Sequence, residues 1–470
     1  MSAVSRLGAF WGIFACGAFF GLAAGCKRSP PPTGAVPSAK ASGLASTASS
    51  ALSQPDAEAE PSHCRRLPGF ELTLAAEAST DAKRRDSQED EDDDALMPFG
   101  VDTGSAVAVP NGFAVAGIRG AGEAFVAVLG EQASRRVDLG ELHGDAETPA
   151  LSAFDERVLV ALRSSDAAGF TIKLASVPLV GGDVEWGYEL SKLGKAVTDV
   201  DVAVSGAHAL LVFQADAKQG GPRLLVGSFA PATIKQPFEA KPLDVKDAEM
   251  PRVVARPGGF WLTWVRSLPE PKKPAGPRPA SDAGAPDPEE REILEVGLRV
   301  VEVAKLDEQG KLVGAARRVG EPRRQVLLYD VAALASGGLL VATRSDSATP
   351  GAEGGALLLS EIGADGSVRV DQLEDEDIGV GAPTLLVDHD AKLPGPWLTL
   401  SAPNDSTRAG LAQGSQTKLQ ADPALGHAEI VAVSGGHFLA QRGRGRGIAF
   451  DALDCSWPSE PAPDKSPAKK

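Results

Sequence analysis

The sequence predicts an all-β fold: a β-propeller, with seven blades the best count. Three observations predict it. One short phrase, an apolar strand, a tight turn and a second apolar strand, recurs seven times. The copies lie roughly 45 to 55 residues apart, the length of a propeller blade. Most copies are followed by a third strand-like run, and several lead through a Gly turn to a fourth.

The clearest copy is Val253 to Val265, VVARPGGFWLTWV, where two runs of β-formers flank Pro257-Gly258-Gly259. The others begin at Val107, Leu151, Val202, Val331, Leu385 and Ile430. The Leu385 copy is looser and turns late into Trp397-Leu398-Thr399-Leu400. One interval is longer because it holds a Pro-rich insertion, 268–290, which cannot form a central strand. Third strands are expected at Ala124–Leu129, Phe170–Pro178, Arg223–Phe229, Glu295–Lys305, Ala356–Ile362 and Gly447–Phe450. The final unit is one strand short. Gly69–Ala75, GFELTLA, can supply that strand and close the ring without an open edge. A ring of six or eight blades, or two β-sandwiches in tandem, are the alternatives.

Ahead of the repeats, Arg6 precedes an uncharged apolar run, Leu7 to Ala24, which ends Leu22-Ala23-Ala24-Gly25-Cys26. This resembles the lipobox of bacterial lipoproteins, although Ala23 stands where Leu is commonest and one Arg is a thin positive start. The resemblance implies a signal peptide, 1–25, and a lipidated Cys26. Acyl chains contribute about 0.8 kcal/mol per buried CH₂, so the chain would stay on a membrane without a spanning helix. Lys27 is not the Asp that retains such proteins at the inner membrane, so the resemblance implies the outer membrane. A plain secretory signal or an uncleaved anchor is the alternative.

Residues 26–62 follow as a Pro/Ser/Ala tether with no apolar period, a composition that cannot offset its chain entropy. The propeller is expected over 63–458, and 459–470 form a Pro-rich tail with basic residues. Four cysteines are present. With Cys26 lipidated and Cys16 lost with the signal, Cys64 and Cys455 remain at the two ends of the domain. In an exported protein they are expected to pair, with two free thiols the alternative.

Composition bounds the function. A net charge of -16 argues against nucleic acid. No nucleophile elbow, P-loop or His-Glu-x-x-His occurs. The acidic run Asp86 to Asp94 lacks EF-hand spacing and reads as a solvated loop. Arg442-Gly443-Arg444-Gly445-Arg446-Gly447 reads as a hairpin turn rather than a nucleic-acid segment. In Asp388-His389-Asp390, strand alternation turns His389 away from the two carboxylates. Trp261 and Trp264, three apart on one strand, face opposite sides and suit packing between blades.

These absences leave no assigned catalytic residue, metal or cofactor. The main expectation is therefore a lipid-tethered propeller that binds a protein partner in the cell envelope. The alternative is a hydrolase or lyase acting on polysaccharide, or a small-ligand sensor, using acids in the central channel. Asp201, Asp330 and Asp388 lie near the heads of first strands and are the acids that reading would use. What lines the channel discriminates the two: convergent acids favour the second.

Overall fold

The computed structural model describes residues 64–74, 101–268 and 298–455, apart from short stretches inside these limits. The signal and lipobox with Cys26, the tether, the acidic run, residues 269–290 of the insertion, His389, Asp390 and the tail lie outside the described residues.

The chain forms a seven-bladed β-propeller. Seven antiparallel sheets follow one another, and six of them are four-stranded meanders. The first strands of blades 1 to 7 are Val101–Val109, Ala150–Phe154, Val197–Ser205, Ala248–Arg256, Arg324–Ala333, Ala382–Leu386 and Glu429–Ser434. Each packs against the first strand of the next blade, and that of blade 7 returns to blade 1, so the ring is closed. The turn chemistry is local. In blade 4, Gly258 and Gly259 take φ of 70° and 145° between paired strands, and a side chain at Gly259 would strike the Leu306 carbonyl.

Period-2 alternation gives each sheet two apolar faces, and the ring uses both. The buried side chains fall into seven clusters, one in each gap between adjacent blades. Trp264 packs with Leu210 and Val212 of blade 3, whereas Trp261 packs with Tyr329 and Val341 of blade 5. The two indoles therefore serve opposite faces, as their spacing requires. Trp397 fills the gap between blades 6 and 7, edge-on to Phe438 at 5.3 Å. Each such large side chain contributes roughly 1.5–3 kcal/mol by leaving water.

Blade 7 has three strands of its own, Glu429–Ser434, His437–Arg444 and Gly447–Cys455, and the N-terminal segment completes it. Leu72–Leu74 pairs with Ile448–Phe450, within the stretch expected to do so. A second piece, Cys64–Arg66, pairs with Leu453–Cys455 farther along the same strand. Sequence reading missed it because three residues, two of them Arg, carry no periodicity. Cys64 and Cys455 form a disulfide at that ladder's first rung. Arg65 donates to the Asp454 carboxylate at 2.7 Å beside it.

Candidate functional site

The first strand of a blade lines the axis of a propeller. In blades 3 and 4 the ladder to the second strand slips, between Thr198 and Asp201 and between Glu249 and Arg252. Inside each slip one residue takes the left-handed backbone: Asp199 at φ 54° and Met250 at φ 51°. Such residues cost about 1–3 kcal/mol each and persist only where their surroundings hold them. Bulges of this kind re-aim side chains. These two sit one repeat apart, at the heads of neighbouring first strands.

Around them charged side chains converge from four successive blades. Glu147 comes from the segment entering blade 2, and Arg163 from that blade's second strand. Asp199 and Asp201 come from blade 3. Glu249 and Arg252 come from the first strand of blade 4, and Arg299 from its third. Tyr329 and Asp330 come from blade 5. Arg163 Nε lies 3.1 Å from Glu147 Oε2, and Arg299 Nη2 donates to Glu249 Oε2 at 3.3 Å. The Tyr329 hydroxyl donates to the Met250 carbonyl.

Asp201, Arg252 and Asp330 each keep part of their surface exposed. Burial is nonetheless the leading influence on the ionisation of all three. Side chains enclosed by protein yet reached by solvent are what a narrow axial channel produces. Desolvation raises the carboxyls of Glu147, Asp199, Asp201 and Glu249 above the usual range, against the pull of nearby guanidiniums. Asp330 is pushed up to about 6 by the same cause. For Arg252 burial acts against the charge, but Asp201, Tyr329, Asp199 and Asp330 together outweigh it and raise its pKa. The cluster holds five carboxyls and three guanidiniums.

Of the three acids expected at the channel, two are in this cluster, and both also tie blades together. Asp201 Oδ2 accepts the N–H of Val253 in blade 4 at 2.8 Å. Asp330 Oδ2 accepts the N–H of Leu385 in blade 6 at 2.7 Å. Asp388 lies past the opposite end of its strand and is buried, accepting from Leu393 N–H at 3.1 Å and Gly436 N–H at 2.9 Å. It is a tie between blades 6 and 7. Arg442 of the Arg-Gly run is likewise committed, to Asp451 at 3.3 Å and to the carbonyls of Leu425 and Ala424.

Sequence reasoning missed Glu147, Arg163, Asp199, Glu249, Arg252, Arg299 and Tyr329. A signal existed for some: TDVDVAV and AEMPRVVA put charged residues at the head of apolar repeats, where neither solvent nor core explains them.

No model of a known protein family matches the chain, and no relative was found among curated proteins. Solved structures align with parts of the chain at low similarity. The polysaccharide lyase Uly1 aligns with a TM-score of 0.48 at 11% identity, covering 83% of this chain and 99% of that one. The β-propeller domain of the Trilobed protease from Pyrococcus furiosus gives 0.43 at 10%, covering 76% and 95%. The GH93 α-L-arabinofuranosidase of Fusarium graminearum gives 0.41 at 12%, covering 68% and 92%. At these identities the likeness concerns the fold alone.

Proposed function

We propose that the channel mouth spanned by blades 2 to 5 is a binding site for a hydroxyl-rich polar ligand, and that the protein acts on polysaccharide as a hydrolase or lyase. The observation that carries this reading is the convergence of Glu147, Asp199, Asp201, Glu249 and Asp330 with Arg163, Arg252 and Arg299, from four successive blades, around two left-handed bulges. A hydrolase needs a general acid and a lyase a general base, each beside groups that stabilise developing charge. Desolvated carboxyls with guanidiniums among them supply those parts. Asp199 is the acid we assign to proton transfer. It has the strained backbone, and Arg252, Arg163 and Arg299 all act on its charge.

The outer surface offers less to a docking partner. Among the described residues the exposed large hydrophobic side chains are Val180, Val313, Val368 and Val370, spread over blades 2, 4 and 5. This shifts weight from an interaction module to the channel.

The test is incubation of the purified protein with a panel of neutral and acidic polysaccharides, reading both new reducing ends and the ultraviolet absorbance of unsaturated ends. Turnover that disappears in D199N supports the reading. Absence of turnover and of binding across the panel removes it. We further propose that Cys26 carries the lipid and holds the propeller in the cell envelope. C26S then moves the protein from the membrane to the soluble fraction with its fold intact, and an unchanged membrane fraction counts against the anchor.

A further inference from the structure

We infer that Glu147 and Arg163, both from blade 2, are positioning residues that set the backbone of Asp199 on blade 3. The inference rests on the channel reading for why Asp199 matters, but not for how it is held.

The contacts form a closed figure. Glu147 Oε1 accepts the Asp199 backbone N–H at 3.0 Å. Its other oxygen, Oε2, lies 3.1 Å from Arg163 Nε. Arg163 Nη1 then donates to the carbonyl of Val197, two residues before Asp199. The Arg163 guanidinium lies over the Phe170 ring at 5.1 Å and is 4% exposed, so it cannot swing away into water. One carboxylate and one guanidinium of the preceding blade thus hold the chain where it enters the bulge.

The next blade repeats the arrangement with different chemistry. Met250, the left-handed residue of blade 4, donates its N–H to Gln214 Oε1 of blade 3 at 3.3 Å. Its carbonyl accepts the Tyr329 hydroxyl of blade 5. Both left-handed residues therefore have an N–H held by a side-chain oxygen of the preceding blade. Where the held residue is Met250, a neutral amide serves. Where it is the acid Asp199, the acceptor is a carboxylate backed by a guanidinium, giving a shorter, charge-assisted contact. A carboxylate this close to Asp199 also opposes its ionisation, whereas Arg163 favours it. The pair thus fixes where the Asp199 side chain points and bears on how it titrates.

The experiment is hydrogen–deuterium exchange on the full chain, reading peptides that span 197–201, in wild type, E147A and E147Q. E147A is expected to speed exchange there by about tenfold to a hundredfold, with other blades unchanged. E147Q keeps an acceptor for the Asp199 N–H but turns an amide N–H toward Arg163 Nε, so it is expected to exchange faster than wild type and slower than E147A. Equal exchange in E147A and wild type overturns the inference. So does a loss spread over every blade, which would make Glu147 a general stabiliser. For any polysaccharide the wild type degrades, the acidic limb of the pH profile shifts in E147Q while turnover survives, and turnover falls in E147A. The same measurements in D199N separate the two readings. Wild-type turnover in D199N removes Asp199 from the chemistry but leaves the exchange result, and so the positioning role, standing.

Discussion

The Asp201 carboxylate bridges two blades: Oδ1 accepts the N–H of its neighbour Val202 at 2.9 Å, and Oδ2 accepts the N–H of Val253 in blade 4 at 2.8 Å. A first strand has a partner on one side only, so its free N–H groups need acceptors from elsewhere. Ser152 does this for Val204 at 3.0 Å, and Asp330 for Leu385 at 2.7 Å. D201A strands a buried N–H and is expected to destabilise by about 1–3 kcal/mol. D201N keeps one acceptor and is expected to lose less than half of that. Equal losses in urea denaturation would show that charge, not the hydrogen bond, is what Asp201 supplies.

Asp330 links stability to pH. Its ordinary pKa of 3.8 rises to about 6 in the folded chain, chiefly through burial. Between those values the folded state holds a proton that the unfolded state has released. Asp330 therefore favours folding fully below about pH 4, and this contribution is lost as pH rises through about 6. D330N carries no titrating proton and retains an acceptor for Leu385. Its melting temperature is expected to equal or exceed that of wild type at pH 8, with a flatter profile from pH 4 to 6, measured by calorimetry.

Trp261 has two jobs across the gap between blades 4 and 5. Its ring is buried among Val331, Leu339 and Val341, and its Nε1 donates to the Gly337 carbonyl at 3.1 Å. W261F removes the hydrogen bond and is expected to cost about 1–2 kcal/mol, whereas W261A also opens a cavity and costs about 3–5. Guanidinium midpoints of the two variants check the split.

Reduction of the Cys64–Cys455 bond is expected to lower the melting temperature without changing the far-ultraviolet circular dichroism. The sequence separation is 391 residues. The loop-entropy relation gives about 6 kcal/mol for a loop of that size, an upper figure. C64S should match the reduced wild type. A melting temperature unmoved by reductant would mean that the ladders alone hold blade 7 closed.

Much of this architecture was legible in the chain because hairpins are local. Apolar alternation around Pro257-Gly258-Gly259 or Gly435-Gly436 specifies two strands and a turn with no knowledge of the rest. Ring closure was legible through the missing strand of the last blade, and Leu72–Leu74 of GFELTLA does pair with Gly447–Cys455. The channel cluster was not. Glu147 reaches Asp199 across 52 positions, and Arg252 meets Asp330 only because the ring brings blades 4 and 5 together. Asp199 is an acid like any other in the chain until the bulge turns its backbone left-handed. Spacing also misplaced Asp388: it falls near a first strand, but beyond the end of it, and so joins blades rather than facing ligand.

Cys64 is the first residue of its short strand, and its partner Cys455 is the last of the long strand beside it. A pull arriving along the chain ahead of Cys64 would ordinarily peel that strand away one rung at a time, a path of low mechanical resistance. Here the first rung is covalent, so the peeling fork cannot start. Tension passes instead through the sulfur bridge into Cys455, where any pull from the opposite end of the chain also arrives. The two loads meet at one bond on the rim of blade 7 and bypass the other six blades. Tension applied between the two ends thus runs through that bridge and leaves the channel unloaded.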